Sequence, residues 1–425
     1  MLISGRDHSI PGPRMPRPLQ GALFLADEYR YLDRCRRRYG DVFALEVWPF
    51  HPLVVLGDPS EVKRIFTGDP AQLHAGEGNQ VLEPMVGSHS VLVLDEQEHL
   101  RTRKTQLPPF HGERMRVYGD AMRELTEQAV SAWPVGEAFA LLPEMQRLTL
   151  RVILRTVFGL EEGARMAELE VALMRALPLA TRIMLVPPLQ RDVGPWSPAG
   201  RFAAARAEVD RLLLAEIARR RESGARGDDV MSMLMEADED ASDEALRDHL
   251  VTLLVAGHET TATQLSWTFE RLVRHPAQMA RARKDEAYLD AAVKETQRTR
   301  PVLTFAMRTL KAPLEVAGHR VPEGATVGTS VALLHSREDL YPEPYAFRPE
   351  RFVDGKPETY GWIPFGGGVR RCLGAAFAQF EMRQVLSVVL ARRELRPADP
   401  APERRRRRGI TQVPARGARV VAQLL

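Results

Sequence analysis

Apolar positions along this chain fall mostly at helical spacing. Residues 28–39 read as an amphipathic helix, whereas 42–46 and 53–56 read as strands from their β-branched content and flanking turn residues. From about residue 98 onward the pattern is helical almost throughout. Segments near 113–132, 144–158, 164–177 and 199–222 are separated by Pro, Gly or charged turns. Residues 226–240 are polar and partly acidic, and Ser242-Asp243-Glu244 then offers an N-cap followed by first-turn acids. A long helix should open there. Its apolar content runs through Leu250, Leu253, Leu254, Val255, Leu265 and Phe269 to His275, where Pro276 stops it. Further helices are expected over 285–300 and from Leu373 to about Arg392, with short strands and turns between them. With no repeat and no linker-like break, the chain reads as one domain over residues 1–425, mainly α with small β-sheets.

Bulk properties narrow the function classes. The first 20 residues carry prolines at 11, 13, 16 and 18 and no apolar run, which leaves neither a signal peptide nor the roughly 20-residue span of a membrane helix. The stretch Ala22-Leu23-Phe24-Leu25-Ala26 is too brief to cross a bilayer. Basic and acidic residues nearly balance, 59 against 56, which argues against a nucleic-acid binder. Only Cys35 and Cys372 occur, so neither a disulfide framework nor a cysteine metal cluster can form, and a cytoplasmic location is expected. Cys35 fits a small buried hydrophobe. The run 404–408 is the one block of like charge, expected as a solvated surface turn.

Cys372 sits after a glycine-rich loop, Phe365-Gly366-Gly367-Gly368-Val369-Arg370-Arg371, and before Leu373-Gly374 and a helical pattern. Glycines let the backbone turn tightly and approach a flat cofactor. A cysteine at a helix N-terminus gains thiolate character. A phosphate-cradling reading fails, because no Lys-Ser/Thr follows and Gly-x-Gly-x-x-Gly spacing is absent. The stretch matches Phe-x-x-Gly-x-Arg-x-Cys-x-Gly at every fixed position, and by it the chain resembles the cytochrome P450 superfamily. That resemblance implies haem b with Cys372 as axial thiolate ligand, favouring O–O cleavage. It places Phe365 and Gly374 against the cofactor and pairs Arg370 with a propionate.

Within the long helix, Ala256-Gly257-His258-Glu259-Thr260-Thr261 puts polar groups in apolar surroundings. The small pair Ala256-Gly257 would let a planar cofactor or dioxygen approach the backbone, and a threonine hydroxyl can bond into a helix and open it locally. A metalloprotease His-Glu-x-x-His reading fails at Ala262. The six residues resemble the family's oxygen-binding motif, which implies that Glu259 and Thr260 deliver protons to dioxygen, with His258 a neighbour.

Glu295 and Arg298, at i and i+3, match the family's Glu-x-x-Arg element, and Pro349-Glu350-Arg351-Phe352 its Pro-Glu-Arg-Phe element. A structural network of Glu295, Arg298 and Arg351 holding the cysteine loop is implied. His99 and Arg103, one helical turn apart, and Arg308 follow family positions for propionate binding. The resemblance spans nearly the whole chain and leaves no room for a fused reductase. Electrons would come from a ferredoxin or flavodoxin with its NAD(P)H-dependent reductase, met by cations near Cys372: Arg371 and the Arg34, Arg36, Arg37, Arg38 cluster are the candidates.

Family positions for substrate contact are Val86 and the residues up to 91, Leu253 and Ala256, Leu303, Thr304 and Phe305, and Ile410 with Thr411. Their mainly apolar character suits a hydrophobic substrate. The stretch 108–115 together with Glu259 resembles a bacterial branch with lipid-like substrates, favouring fatty acids, terpenoids or steroids over polyketide or peptide tailoring. A monomeric, partner-driven monooxygenase is expected. The competing readings are a peroxide-driven peroxygenase, a haem sensor or carrier without catalysis, and a Cys-His hydrolase that would bind no haem.

Overall fold

The computed structural model describes residues 10–425 except 49, 111–113, 185–186, 225–226, 354 and 356. Helices dominate, and a smaller β-rich region gathers the N-terminal strands with strands from late in the chain. The helix Glu28–Tyr39 and the strands Val42–Val47 and Phe50–Leu56 form where the periodicity predicts them. Those strands lead a five-stranded sheet, followed by Thr326–Ser330, Phe305–Leu310 and Leu73–His74. Phe50–Leu56 pairs in parallel with Thr326–Ser330, and the remaining pairings are antiparallel.

Ser242 caps the long helix Asp243–Val273 through the Ala245 N–H. From Thr261 to Val273 this helix is buried on nearly every side except at Arg271, as a helix crossing a core must be. It packs chiefly on Leu141–Thr156, and also on Glu286–Thr299 and Ala375–Arg392. The main apolar core, with Leu148, Val152, Leu250, Leu254, Leu265, Phe269, Val385 and Val389, fills the space between them.

The proline-rich start leads into a helix at Arg17–Ala26, with Pro18 in its first turn where a missing N–H costs nothing. Three expectations need correction. Helix Ala164–Met184 continues through Pro178, held by buried Ala172, Leu173, Ala176 and Ala180. A helix at Val230–Ala237 lies inside the stretch read as polar, capped by Asp229. Most consequentially, the arginine run is a strand. Arg405–Arg408 pairs antiparallel with Thr411–Pro414, and its alternate side chains turn onto protein: Arg405 stacks over Tyr29, and Arg407 meets buried Glu28. Apolar partners of arginine stems and buried acids are invisible in a charge count. Among the described residues no helix is long and apolar enough to cross a membrane.

Candidate active site around Cys372

The cysteine loop is shaped by its contact with the helix Pro59–Thr67. A Cβ on Gly367 would meet the Phe66 ring at 2.3 Å, and one on Gly368 would meet the Phe66 carbonyl oxygen at 1.7 Å. Gly366 and Gly368 also adopt φ of 65° and 62°, open to glycine at little cost. The close approach read from the glycines is therefore to Phe66 at 367 and 368. The Cys372 N–H donates to the Phe365 carbonyl at 2.9 Å, closing the loop, and Gly374 caps the helix Ala375–Arg392. The cysteine thus precedes the first helical turn instead of occupying it.

The Cys372 side chain is accessible, yet burial dominates its ionisation and pushes its thiol pKa up. The Gly374 N–H, Arg103 and Arg371 act the other way, toward the thiolate.

Four basic side chains share this neighbourhood. His99 is buried on Glu96–Gln106, and desolvation, then Arg370, Arg103 and Arg308, drive its pKa down to about 3. Burial followed by the Arg370 charge lowers Arg308 to about 10. Burial likewise lowers Arg370 to about 10, with Asp95 opposing and Arg103 adding to the shift. Arg103 is lowered chiefly by burial. The Arg370 guanidinium donates to the Leu94 carbonyl at 2.5 Å and the Val91 carbonyl at 3.2 Å, and pairs with Asp95. Three arginines thus crowd a neutral histidine with one carboxylate among them. Such a set suits a dianionic partner, and it fits the two propionates of a haem beside an accessible thiol.

On the long helix, Leu253, Ala256, Gly257 and Thr260 form the accessible stripe expected of positions i, i+3, i+4 and i+7. Ala256 is exposed although flanked by buried turns. The Thr260 hydroxyl donates to the Ala256 carbonyl at 2.6 Å, but the helix runs unbroken, so no local opening accompanies this bond. A Cβ on Gly257 would meet Ile153 at 3.0 Å, which makes this glycine a helix-packing position.

Glu259 leaves the stripe sideways. Its Oε2 accepts from Gln146 Nε2 at 2.6 Å, while its Oε1 lies 3.6 Å from Arg408 Nη1 and has no hydrogen-bond partner. Burial raises its pKa against the opposing effects of Arg408 and Gln146. His258 lies 3.0 Å from the Gln146 carbonyl through Nε2, and burial lowers its pKa to about 4. Neither Gln146 nor Arg408 carried a signal: one reads as a helix residue, the other as part of a charge run.

Glu295 and Arg298 form a two-pronged pair at 2.7 and 2.8 Å with both side chains inaccessible. Arg351 Nε lies 3.5 Å from Glu295 Oε1, and Arg298 also donates to the His335 and Pro344 carbonyls. These three sequence candidates come together.

The pocket positions divide. Leu303 and Ile410 keep 38% and 40% of their surface, and a bridge between Leu303 and Thr411 joins their segments. Val86 has no accessible surface and packs with Leu82, Met85 and Val255, so it backs a wall without lining it. Thr304 and Thr411 are buried as well; Thr304 helps to hold down the pKa of Glu28 against burial, and the Thr411 hydroxyl donates to the Arg408 carbonyl at 2.8 Å. The Phe305 ring turns toward Phe24, 6.0 Å between centroids. Residues 111–113 of the 108–115 stretch lie outside the described residues. Arg371 is exposed next to the cysteine. The helix carrying Arg34, Arg36, Arg37 and Arg38 packs instead on Arg17–Ala26, Val42–Val47 and Val331–His335, and Arg36 and Arg37 already face Asp33.

The family described as "Cytochrome P450" matches residues 10–417. A Mycobacterium tuberculosis protein named "Putative cytochrome P450 135B1" is 41% identical over 96% of this chain and 90% of its own. Another from the same organism, "Putative cytochrome P450 138", is 38% identical over 97% and 95%. Among solved structures, a retinoic acid-bound cyanobacterial CYP120A1 superposes with a TM-score of 0.86 at 22% identity, covering 98% of this chain and all of that one. The cytochrome P450DA haem domain gives 0.85 at 21%, covering 98% and 97%. At such identities these structures speak to the fold.

Proposed function

Since the chain belongs to the cytochrome P450 family, we propose that it is a haem-thiolate monooxygenase that inserts one atom of dioxygen into a hydrophobic organic substrate. The observation that carries this reading is the donor set: Arg103, Arg308 and Arg370 around His99, beside the accessible Cys372 sulfur. Haem b bound there supplies an iron whose thiolate ligation favours dioxygen activation.

The chain's own residues do the rest. Arg103, Arg308 and Arg370 hold the propionates, and neutral His99 offers one further ring nitrogen. Backbone N–H donation from Gly374 steadies the sulfur. The Thr260 hydroxyl donates to the Ala256 carbonyl, leaving its oxygen lone pairs to accept a hydrogen bond from a water that carries the proton onward. Glu259, with its pKa raised by burial and one oxygen unbonded, holds a proton more readily than a surface carboxylate and passes it toward Thr260. Buried Glu295 and Arg298, with Arg351, fix the segment that precedes the cysteine loop.

Leu253, Leu303 and Ile410 give the pocket an apolar lining, in keeping with a fatty acid, terpenoid or steroid substrate. Electrons come from a separate ferredoxin or flavodoxin and its NAD(P)H-dependent reductase, docking near Arg371. The deciding experiment is the carbon monoxide difference spectrum of the reduced protein. A thiolate-type band is expected, lost in Cys372→Ser; a histidine-type band in the folded wild type overturns the reading. Turnover with reduced partner proteins, and little with hydrogen peroxide alone, separates a monooxygenase from a peroxygenase, and spectral titration with a lipid, terpenoid and steroid panel identifies the substrate class.

A further inference from the structure

Asp95 occupies the N-cap of the helix Glu96–Gln106, where an aspartate ordinarily accepts the first free N–H groups of its own helix. It makes no such bond. Its Oδ1 instead accepts from the Gly76 N–H at 2.8 Å and pairs with Arg370, and its Oδ2 accepts from the Glu77 N–H at 3.0 Å. Forgoing the cap leaves the first N–H groups of the helix without the acceptor an aspartate ordinarily supplies. The next residue, Glu96, sits at φ 49°, a left-handed conformation that is strained for a non-glycine residue. Both costs fall at one turn, and both serve to direct carboxylates away from the helix.

The neighbours on the far side are explicit. His74 Nδ1 lies 3.6 Å from Asp95 and 3.1 Å from Glu77, while its Nε2 lies 3.0 Å from Glu96. Lys311 closes on Glu77 at 2.7 Å. Gly76 has no room for a side chain there, since a Cβ would meet the Val93 carbonyl oxygen at 2.3 Å and Asp95 at 2.6 Å. Asp95 is held from behind by backbone N–H groups and reaches forward to the Arg370 side of the arginine cluster.

We propose that Asp95 is a positioning residue for the haem, anchoring Arg370 toward a propionate and adding a negative charge that holds the reduction potential of the iron down. This rests on the haem-thiolate reading above. In a partly desolvated site a charge acts over distances at which water would mute it. An aspartate that merely stapled the turn at 76–77 would affect stability and leave the potential alone.

The test is a potentiometric titration of haem-loaded Asp95→Asn, a near-isosteric change that removes the charge. At the potential where the wild type is half reduced, the ferrous-to-ferric ratio should rise about three- to tenfold, as loss of one nearby anion implies. Asp95→Glu should restore the wild-type ratio. A ratio unchanged in Asp95→Asn, with its thiolate-type carbon monoxide band intact, overturns the assignment of Asp95 alone; a wild type without that band overturns the haem-thiolate reading and this one with it. If Asp95→Asn loads no haem, Asp95→Glu decides: loading with the wild-type ratio supports the charge, and failure of both variants to load reduces Asp95 to a staple.

Discussion

Replacing Arg408 by glutamine should make the stability of the protein depend on pH in a defined way. The Arg408 guanidinium lies 3.6 Å from Glu259 Oε1, with the two side chains 28% and 22% exposed. A pair about 4 Å apart is worth about 1 kcal/mol in water and about 4 kcal/mol at an effective dielectric of 20. At this partial exposure an interaction on the order of 2 kcal/mol follows, equivalent to roughly 1.5 pKa units. Burial already raises the Glu259 pKa, and Arg408 opposes that rise, so the variant's pKa lies higher still. A carboxyl whose folded pKa exceeds its unfolded value stabilises fully below the unfolded pKa and loses that contribution as pH climbs through the folded one. The wild type stops losing stability at its own raised pKa, while Arg408→Gln goes on losing it up to a higher pH. Denaturant midpoints compared from pH 5 to 9 should therefore diverge, the gap widening to about 2 kcal/mol at the alkaline end. His258, held at about 4 by burial, adds a rising slope up to its ordinary value of 6.5, so the Glu259 effect is read from the divergence above that pH. Parallel curves, offset by the same amount at every pH, would refute the coupling. In the loaded enzyme the same variant should waste more reducing equivalents as hydrogen peroxide, because its acid gives up protons less readily.

Arg298→Ala should destabilise the protein by about 3–5 kcal/mol, since it strands the fully buried Glu295 carboxylate; a loss below about 1 kcal/mol would mean that the pair is dispensable. Gly368→Ala, which drives a methyl group into the Phe66 carbonyl oxygen at a positive φ, should abolish the thiolate-type carbon monoxide band or cut the yield of folded protein severely. Glu381 is buried without a hydrogen-bond partner for either oxygen, and burial pushes its pKa up to about 8. The wild type should therefore lose stability between about pH 4.5 and 8, at up to about 1.4 kcal/mol per unit, and Glu381→Gln should lack that slope.

Most helices were legible because burial imposes a period. Glu28–Tyr39, Asp243–Val273 and Glu286–Thr299 sit within a residue or two of their expected limits, with Ser242 and Asp285 as caps. The elements that escaped did so for local reasons. Val230–Ala237 spans only eight residues and leans on Met231 and Leu234 inside a polar stretch, and Ala164–Met184 tolerates a proline that sequence rules treat as a stop. Within the site, residues set by short spacing were readable: His99 with Arg103 on one turn, and Glu295 with Arg298 on another. Partners arriving from distant segments were not. Gln146, Asp95 and Arg408 stand 113, 275 and 149 positions from the residues they meet, Glu259, Arg370 and Glu259 respectively.

The arginine run shows how far that limit reaches. Five like charges in a row ordinarily repel and seek water. In a strand they separate onto two faces, so each arginine answers to its own surroundings and not to the next arginine. Arg405 and Arg407 turn to Tyr29, Phe24 and Glu28, and Arg408 turns to Glu259. Arg404 and Arg406 stay exposed. Buried Glu28 near the N-terminus and half-buried Glu259 on the core helix are thus countered by adjacent members of one strand. That strand is joined by the Gly409-Ile410 turn to Thr411–Pro414, whose first residue bridges to Leu303. A shift of the arginine strand would move the ion pair on Glu259 and the apolar side chains of Ile410 and Leu303 together. If Glu259 carries protons and Ile410 and Leu303 line the substrate pocket, as proposed, one short hairpin couples the two, and Arg408→Gln should alter both in one measurement of coupling against substrate size.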